Sequence, residues 1–306
     1  MTEKALTSEQ LRIDAEILSQ KLEKFIRASV DKFGREGVIV GLSGGLDSSV
    51  VAALSVAALG SGKVKGLIMP ERDSSGDSEA DARLLAETLG IEVEKVELTP
   101  VLDEMGIYDY VPRSLLAQKG IAGALVKGGY KLYARLTGES PLLSGLEGTS
   151  FELLKRANAY YRMKHRLRMV LSYSRAERKN LLVAGTANKT EFLTGFFVKY
   201  GVDGAADIMP LLLLYKTQVR QLARFLPIPE GIINKTPSPD IIPGITDEFA
   251  IGIPYEKLDL ILLGLETNME AEDIAAEVGI KREAVEYVAE LVKRSAHMRS
   301  SPLTPD

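Results

Sequence analysis

Two hydroxyls, two adjacent glycines and a carboxylate stand together in Ser43-Gly44-Gly45-Leu46-Asp47-Ser48. Adjacent glycines let the backbone approach a ligand closely. Gly41 and Leu42 lead into this loop, and Ser49 leads out of it into the apolar, Ala-rich segment Val50–Leu59. A helix there offers free N–H groups and the positive end of its dipole, a combination that favours phosphate. The loop is not a Walker loop, because no lysine follows the glycines and the Gly-x-x-x-x-Gly-Lys-Ser/Thr spacing is missing. Far along the chain, Gly185-Thr-Ala-Asn-Lys-Thr-Glu191 offers Thr186 or Asn188 as the cap of a helix carrying Glu191. Asp47 and Glu191 would be two hard oxygen ligands for Mg²⁺, which commonly takes one or two carboxylates and fills its shell with phosphate oxygens. Lys216 opens a helix read through Ala223, the electrostatically unfavourable end for a cation, so an anion is expected to hold it.

The elements that must position these groups alternate. Leu11, Ala15, Leu18, Leu22, Phe25 and Ile26 recur at helical spacing, which predicts an amphipathic helix over 8 to about 33. Val38–Val40 with Leu42 reads as a strand buried on both faces. Val64–Met69, Ile91–Leu98, Leu181–Ala184 and Ile208–Leu212 read as four more strands, with a helix Ala82–Leu89 stopped by Gly90. This order predicts an α/β fold, a doubly wound parallel five-stranded sheet with helices on both faces, and ligands beyond the carboxyl ends of its strands. Tyr160–Tyr173 is a long basic helix containing Arg162, Arg166 and Arg168. The loop Asn234–Glu248, with three prolines, is a candidate active-site cover. A segment at about 106–157, rich in glycine, tyrosine and basic residues, interrupts the alternation; a lid over an anionic ligand and an inserted helical pair both fit it. One domain spanning 1–306, with that insertion and a helical C-terminal part from about 255, is the simplest organisation.

Composition removes several classes. A formal charge of −4 and a pI near 5.5 argue against nucleic acid as a partner, since phosphate backbones need a concentrated basic surface. The acidic residues on Ala271–Val278 and Arg282–Arg294 argue the same way, although their spacing imitates a DNA-binding helix pair. No run approaches the length of a membrane span, and Met1–Gln10 lacks the order of a secretion signal, so no membrane partner and a cytoplasmic location are expected. The absence of cysteine removes disulfides, thiolate metal sites and every cysteine nucleophile.

Ser43–Ser48 is similar to the pyrophosphate loop of the ATP pyrophosphatases. The wider sequence resembles the ammonia-dependent NAD synthetases of that PP-loop superfamily over nearly the whole chain apart from 106–157. The resemblance is carried by Gly185-Thr186…Lys189-Thr-Glu191, Lys199-Tyr-Gly, Asp207, Tyr215-Lys216-Thr217, Pro237-Ser238, Thr246-Asp-Glu248, Tyr255…Leu258-Asp259 and His297. It implies a Rossmann-like, adenine nucleotide alpha hydrolase-like fold. The implied reaction is ATP- and Mg²⁺-dependent amidation of deamido-NAD by ammonia to NAD, with AMP and pyrophosphate released. Carried over by position, Gly41, Leu42, Ser43, Gly44, Gly45, Leu46, Asp47, Ser48, Ser49, Thr186, Lys216 and Ser238 would bind ATP, and Asp47 and Glu191 would bind Mg²⁺. Arg166, Lys199, Asp207 and His297 would contact deamido-NAD; Asp47, Lys216 and Asp207 would be catalytic. Similar enzymes are homodimers, so a homodimer is expected. Three departures fall on the acceptor side: Val202 stands before Asp203 where the family has Lys-Tyr-Gly-Asp-Gly, Met298 follows His297 where the family has lysine, and the 106–157 segment is inserted. The alternative they leave is a divergent amide ligase that adenylates another carboxylate.

Overall fold

A computed structural model describes residues 6–111, 119–202, 204–238 and 245–305, giving the backbone alone for 119–125. Four parallel strands form its sheet: β1 (Gly37–Gly41), β2 (Val64–Ile68), β3 (Glu92–Lys95) and β4 (Leu181–Ala184), in the order β3-β2-β1-β4. In the central strand Val38 pairs with both Val64 and Leu182. The β-branched run of β1 is buried throughout, and its period of two divides the core. Val38 and Val40 pack with Val50, Val51, Leu54, Leu85, Val219 and Leu222 from the helices on one face. Ile39 packs with Leu67, Leu98, Leu102, Met169 and Val183 on the other. A further apolar cluster joins Leu11 to the C-terminal helices Tyr255–Glu266, Ala271–Val278 and Arg282–Arg294 through Tyr255, Leu258, Ile274, Val285 and Val288. The apolar face of the helix pair that imitated a DNA reader is therefore core.

The sheet has four strands among the described residues, where five were expected. Ile208 makes one parallel bridge to Ala184, with Gly185 N–H donating to Ile208 O at 2.8 Å. Pro210 then supplies no donor, and the chain turns, with Leu212 N–H donating to Met209 O and Leu214 N–H to Leu211 O. The helix expected at Ala82–Leu89 begins at Gly76, because Ser75 caps it by accepting from Ser78 N–H at 3.2 Å. The basic helix runs from Glu152 to Arg178, well beyond the 160–173 read from sequence.

The segment at 106–157 contains the helices Lys119–Thr137 and Pro141–Glu147. The first reaches the helix Asp247–Ile251, where Tyr130 O–H donates to Ala250 O at 2.5 Å. The second buries Leu143 and Leu146 against Phe197, Leu291 and Met298. Met298, the residue that departs from the family's lysine, is thus part of the apolar seat of the insertion. No described helix is long and apolar enough to cross a membrane.

A buried ion network ties the basic helix to the loop after β2. Lys164, fully buried, donates to Glu71 Oε1 at 2.9 Å and to Asp73 Oδ2 at 2.7 Å. Tyr108 O–H donates to Glu71 at 2.9 Å, and Tyr160 O–H donates to Asp73. Burial opposes ionisation of Asp73, yet hydrogen bonds from Lys164, Tyr160 and Arg72 hold its pKa below the ordinary carboxylate range. Removing one partner of such a network leaves charge buried without compensation. Lys164→Met should therefore lower unfolding free energy by about 3–5 kcal/mol, measured by urea denaturation; a midpoint equal to that of the parent protein would show that the network contributes nothing net.

Candidate active site

From β1 the chain proceeds outward to β2 and β3, then returns to the opposite side of β1 as β4. The carboxyl ends of β1 and β4 therefore flank a topological switch point, where open α/β sheets leave a crevice. The glycine loop leaves one of these ends and Gly185–Glu191 leaves the other.

Gly44 holds a φ of +70°, and a Cβ there would lie 2.2 Å from Ser78 O. Glycine is required on both counts. The serines fold the loop onto itself: Ser43 and Ser48 hydroxyls lie 3.0 Å apart, Gly45 N–H donates to Ser43 Oγ at 3.2 Å, and Ser49 O–H donates to Gly45 O at 2.8 Å. The helix Leu46–Leu59 starts directly on this loop, earlier than the Val50 read from sequence, and carries Asp47 in its first turn. Its leading N–H groups, like those of any helix, have no intrahelical acceptor, and the helix begins just beyond the carboxyl end of β1.

Asn188 joins the two loops. It caps the helix Lys189–Thr194 by accepting from Glu191 N–H at 3.0 Å, while Glu191 Oε2 accepts from Asn188 N–H at 3.4 Å. Its Nδ2 donates to Asp47 Oδ1 at 3.0 Å. The remaining oxygens, Asp47 Oδ2 and Glu191 Oε1, both accept from Lys216 Nζ, the latter at 3.2 Å. The anion expected to hold Lys216 in its helical first turn is this carboxylate pair. Lys216 is 2% exposed. Burial opposes its charge, but Asp47, Glu191 and Asp247 outweigh that opposition and raise its pKa.

Two carboxylates complete the surroundings and were not singled out as site residues from sequence, although both lie in the blocks Thr246-Asp-Glu248 and Tyr255…Asp259. Asp259, fully buried, accepts from Thr190 O–H at 2.5 Å and Thr217 N–H at 2.8 Å, so it caps the helix Lys216–Phe225 from a neighbouring helix. Asp247 accepts from Tyr255 O–H at 3.0 Å, and its buried Oδ1 has no hydrogen-bond partner. Burial pushes the pKa of Asp247 up, against the pull of Lys216.

A cavity of about 130 Å³ opens beside the loop, lined among others by Gly41, Ser43, Ser78, His165, Arg168, Thr186 and Val202. Val202, the departure after Lys199-Tyr-Gly, lines this cavity with Ser43 and Thr186. Ser238 O–H donates to Ile245 O at 2.9 Å, next to 239–244, which with Asp203 lie outside the described residues.

Arg166, Lys199 and His297 meet in a second group. Arg166 Nε donates to Lys199 O at 3.4 Å, and Lys199 Nζ donates to His297 O at 2.8 Å. Asp207 lies at the outer edge of β4, where its carboxylate accepts from Val183 N–H at 2.7 Å and Tyr173 O–H at 3.2 Å. Burial and then Asp207 push the pKa of Tyr173 up to about 12. Among the described residues no three or more acidic or histidine side chains form a ready-made metal cage. Asp47 and Glu191 do converge on one cation position, the donor set suited to Mg²⁺ completed by phosphate oxygens.

A glycine loop that opens a helix, with two carboxylates beside it at a switch point, is the arrangement of the nucleotide-binding doubly wound α/β enzymes. Known proteins narrow that class. The model of the family described as NAD synthase matches residues 18–122 and 146–302, leaving out part of the inserted segment. A relative from Thermotoga neapolitana, an NH(3)-dependent NAD(+) synthetase, is 43% identical over 289 residues, or 94% of this chain and 96% of its own. Its counterpart from Methanocaldococcus jannaschii is 38% identical over 291 residues, 95% of this chain and 97% of its own. Among solved structures, NMN synthetase from Francisella tularensis has a TM-score of 0.70 at 28% identity, covering 96% of this chain and 100% of that one. NH3-dependent NAD synthetase from Campylobacter jejuni, solved with nitrate, has a TM-score of 0.66 at 26% identity with the same coverage. The chain belongs to the NAD synthase family.

The tight Gly44–Ser78 contact sets a direct expectation. Gly44→Ala forces the loop away from Ser78 and should lower ATP-dependent pyrophosphate release by about 100-fold or more, read in a phosphate-coupled assay; a variant within twofold of the parent would show that the loop's shape does not matter to the reaction.

Proposed function

We propose that this chain amidates the carboxylate of deamido-NAD with ammonia, consuming ATP and releasing NAD, AMP and pyrophosphate. The observation that carries the reading is the convergence of Asp47, Glu191 and Lys216 under the glycine loop at the β1/β4 switch point. ATP would lie with its phosphates on Gly41–Ser49 and Thr186, with Ser238 closing over it. The loop's N–H groups and the helix dipole hold the β- and γ-phosphates, the leaving pyrophosphate, while the acceptor carboxylate attacks the α-phosphorus. Lys216 stabilises charge growing on the transferring phosphate. Asp47 and Glu191 would hold Mg²⁺, which when bound neutralises phosphate charge and orients the leaving group. Arg166, Lys199 and His297 would bind the dinucleotide acid. Ammonia then displaces AMP from the acyl adenylate, and Asp207, exposed at the β4 edge, would take the proton it releases. These 306 residues hold no cysteine, so they supply no cysteine nucleophile for a glutaminase step. In this reading the chain acts as one catalytic unit, a cytoplasmic homodimer.

Incubation with ATP, Mg²⁺, ammonium and deamido-NAD should yield AMP and NAD in equal amounts. Nicotinic acid mononucleotide is the comparator acid, because one solved relative is an NMN synthetase. AMP formed with the comparator and not with deamido-NAD would replace the acceptor while keeping the adenylation chemistry; no AMP with either would overturn both. Asp47→Asn should lower pyrophosphate release by about 100-fold or more, and full activity in that variant would remove Asp47 from the metal role.

A further inference from the structure

Asn188 fixes one oxygen of each essential carboxylate. Its side-chain amide donates to Asp47 Oδ1 at 3.0 Å and its backbone N–H donates to Glu191 Oε2 at 3.4 Å. Because Asn188 is itself fully buried, the two carboxylates are turned so that their other oxygens face a single position. The Nζ of Lys216 occupies that position, donating to Asp47 Oδ2 and to Glu191 Oε1 at 3.2 Å. A third carboxylate, Asp247, lies near enough to act on Lys216 and keeps a buried oxygen without a hydrogen bond. Its partner Tyr255 presents a ring 5.4 Å from Nζ.

We infer that Lys216 is a resident cation that holds the metal position closed until nucleotide arrives. An ammonium and a divalent ion cannot share the same two carboxylate oxygens, since each repels the other at a few ångströms in a poorly screened site. The metal therefore enters only when Nζ leaves, and the group that draws it off is the anion placed on the adjacent Ser43–Ser48 loop. Metal and nucleotide phosphate bind as a unit, and the displaced ammonium is delivered to the transferring phosphate. One movement thus links closing of the phosphate site to opening of the metal site. The inference rests on the proposed reading that Asp47 and Glu191 bind metal.

The test uses Mn²⁺ as the probe, with free and bound ion separated by electron paramagnetic resonance in the absence of nucleotide. Lys216→Met and Lys216→Gln should bind Mn²⁺ about tenfold tighter or more than the parent, within the range of ordinary site coupling, and adding Asp47→Asn to either should remove the gain. Affinity equal to or weaker than that of the parent would overturn the inference. Should both variants be unfolded without metal, millimolar Mn²⁺ should restore a cooperative melt, because it supplies the cation the lysine supplied; variants that stay unfolded with Mn²⁺ would also overturn it. AMP release by the parent protein is read separately. Tighter Mn²⁺ binding in the variants, with no AMP from the parent under any acid, would reject the adenylation reading and leave the cation exchange standing.

Discussion

Like charges held in one pocket repel, and Asp47, Glu191 and Asp247 stay together because the ammonium of Lys216 is buried among them. This cluster fixes much of the surrounding geometry. Asp47 and Glu191 come from elements that leave the carboxyl ends of β1 and β4, so their ion pairs with Lys216 bridge the switch point of the sheet, while Asp247 comes from the separate helix Asp247–Ile251. Its lysine stands at a helix N-terminus, where the macrodipole opposes it, and that helix is in turn tied down by Asp259 through Thr190 and Thr217. A buried ion cluster is poor evidence for stability, because desolvation offsets most of the attraction. Its value here is positional: Asp47, Glu191, Asp247 and Lys216 are held together beside the glycine loop.

The members Asp47 and Glu191 of this cluster could be picked out from sequence because their surroundings are constrained locally. Ser43–Ser48 needs two glycines and a helix start in immediate succession, and the Asn188–Glu191 capping box needs its two members three apart, so both leave a pattern on the chain. Strand β1 was legible for the same reason, as a short apolar run before a turn. The fifth strand was not. Ile208–Leu212 has a strand's apolar content, but Pro210 withholds the donor a ladder requires, and pairing stops after one bridge. Asp247 and Asp259 were visible only as parts of longer blocks. Their importance comes from burial beside Lys216 and Thr190, contacts between residues distant in sequence that no local periodicity records.

The departures from the family pattern become intelligible when packing is considered. Met298, where the family pattern has lysine, is buried in an apolar cluster with Leu143 and Leu146 of the helix Pro141–Glu147. The inserted segment also holds the basic helix, through Arg162 Nη2 donating to Gly145 O at 2.7 Å, and the C-terminal helices, through the Arg294–Glu139 ion pair at 3.0 Å. It therefore braces the elements that carry Arg166 and His297. Val202 lies against Gly41 and lines the cavity beside the glycine loop, so the residue that departs from the Lys-Tyr-Gly-Asp-Gly pattern shapes that cavity's wall.

In the proposed reaction the acceptor's own carboxylate attacks the α-phosphorus of ATP on the loop after β1. Deamido-NAD labelled with ¹⁸O in its nicotinate carboxylate, turned over with ATP and ammonium, tests this most directly by mass spectrometry of the products. The account predicts one labelled oxygen in AMP and none in pyrophosphate. Label in pyrophosphate or inorganic phosphate, with AMP unlabelled, would place the attack at another phosphorus and contradict the assignment of the loop to the leaving pyrophosphate.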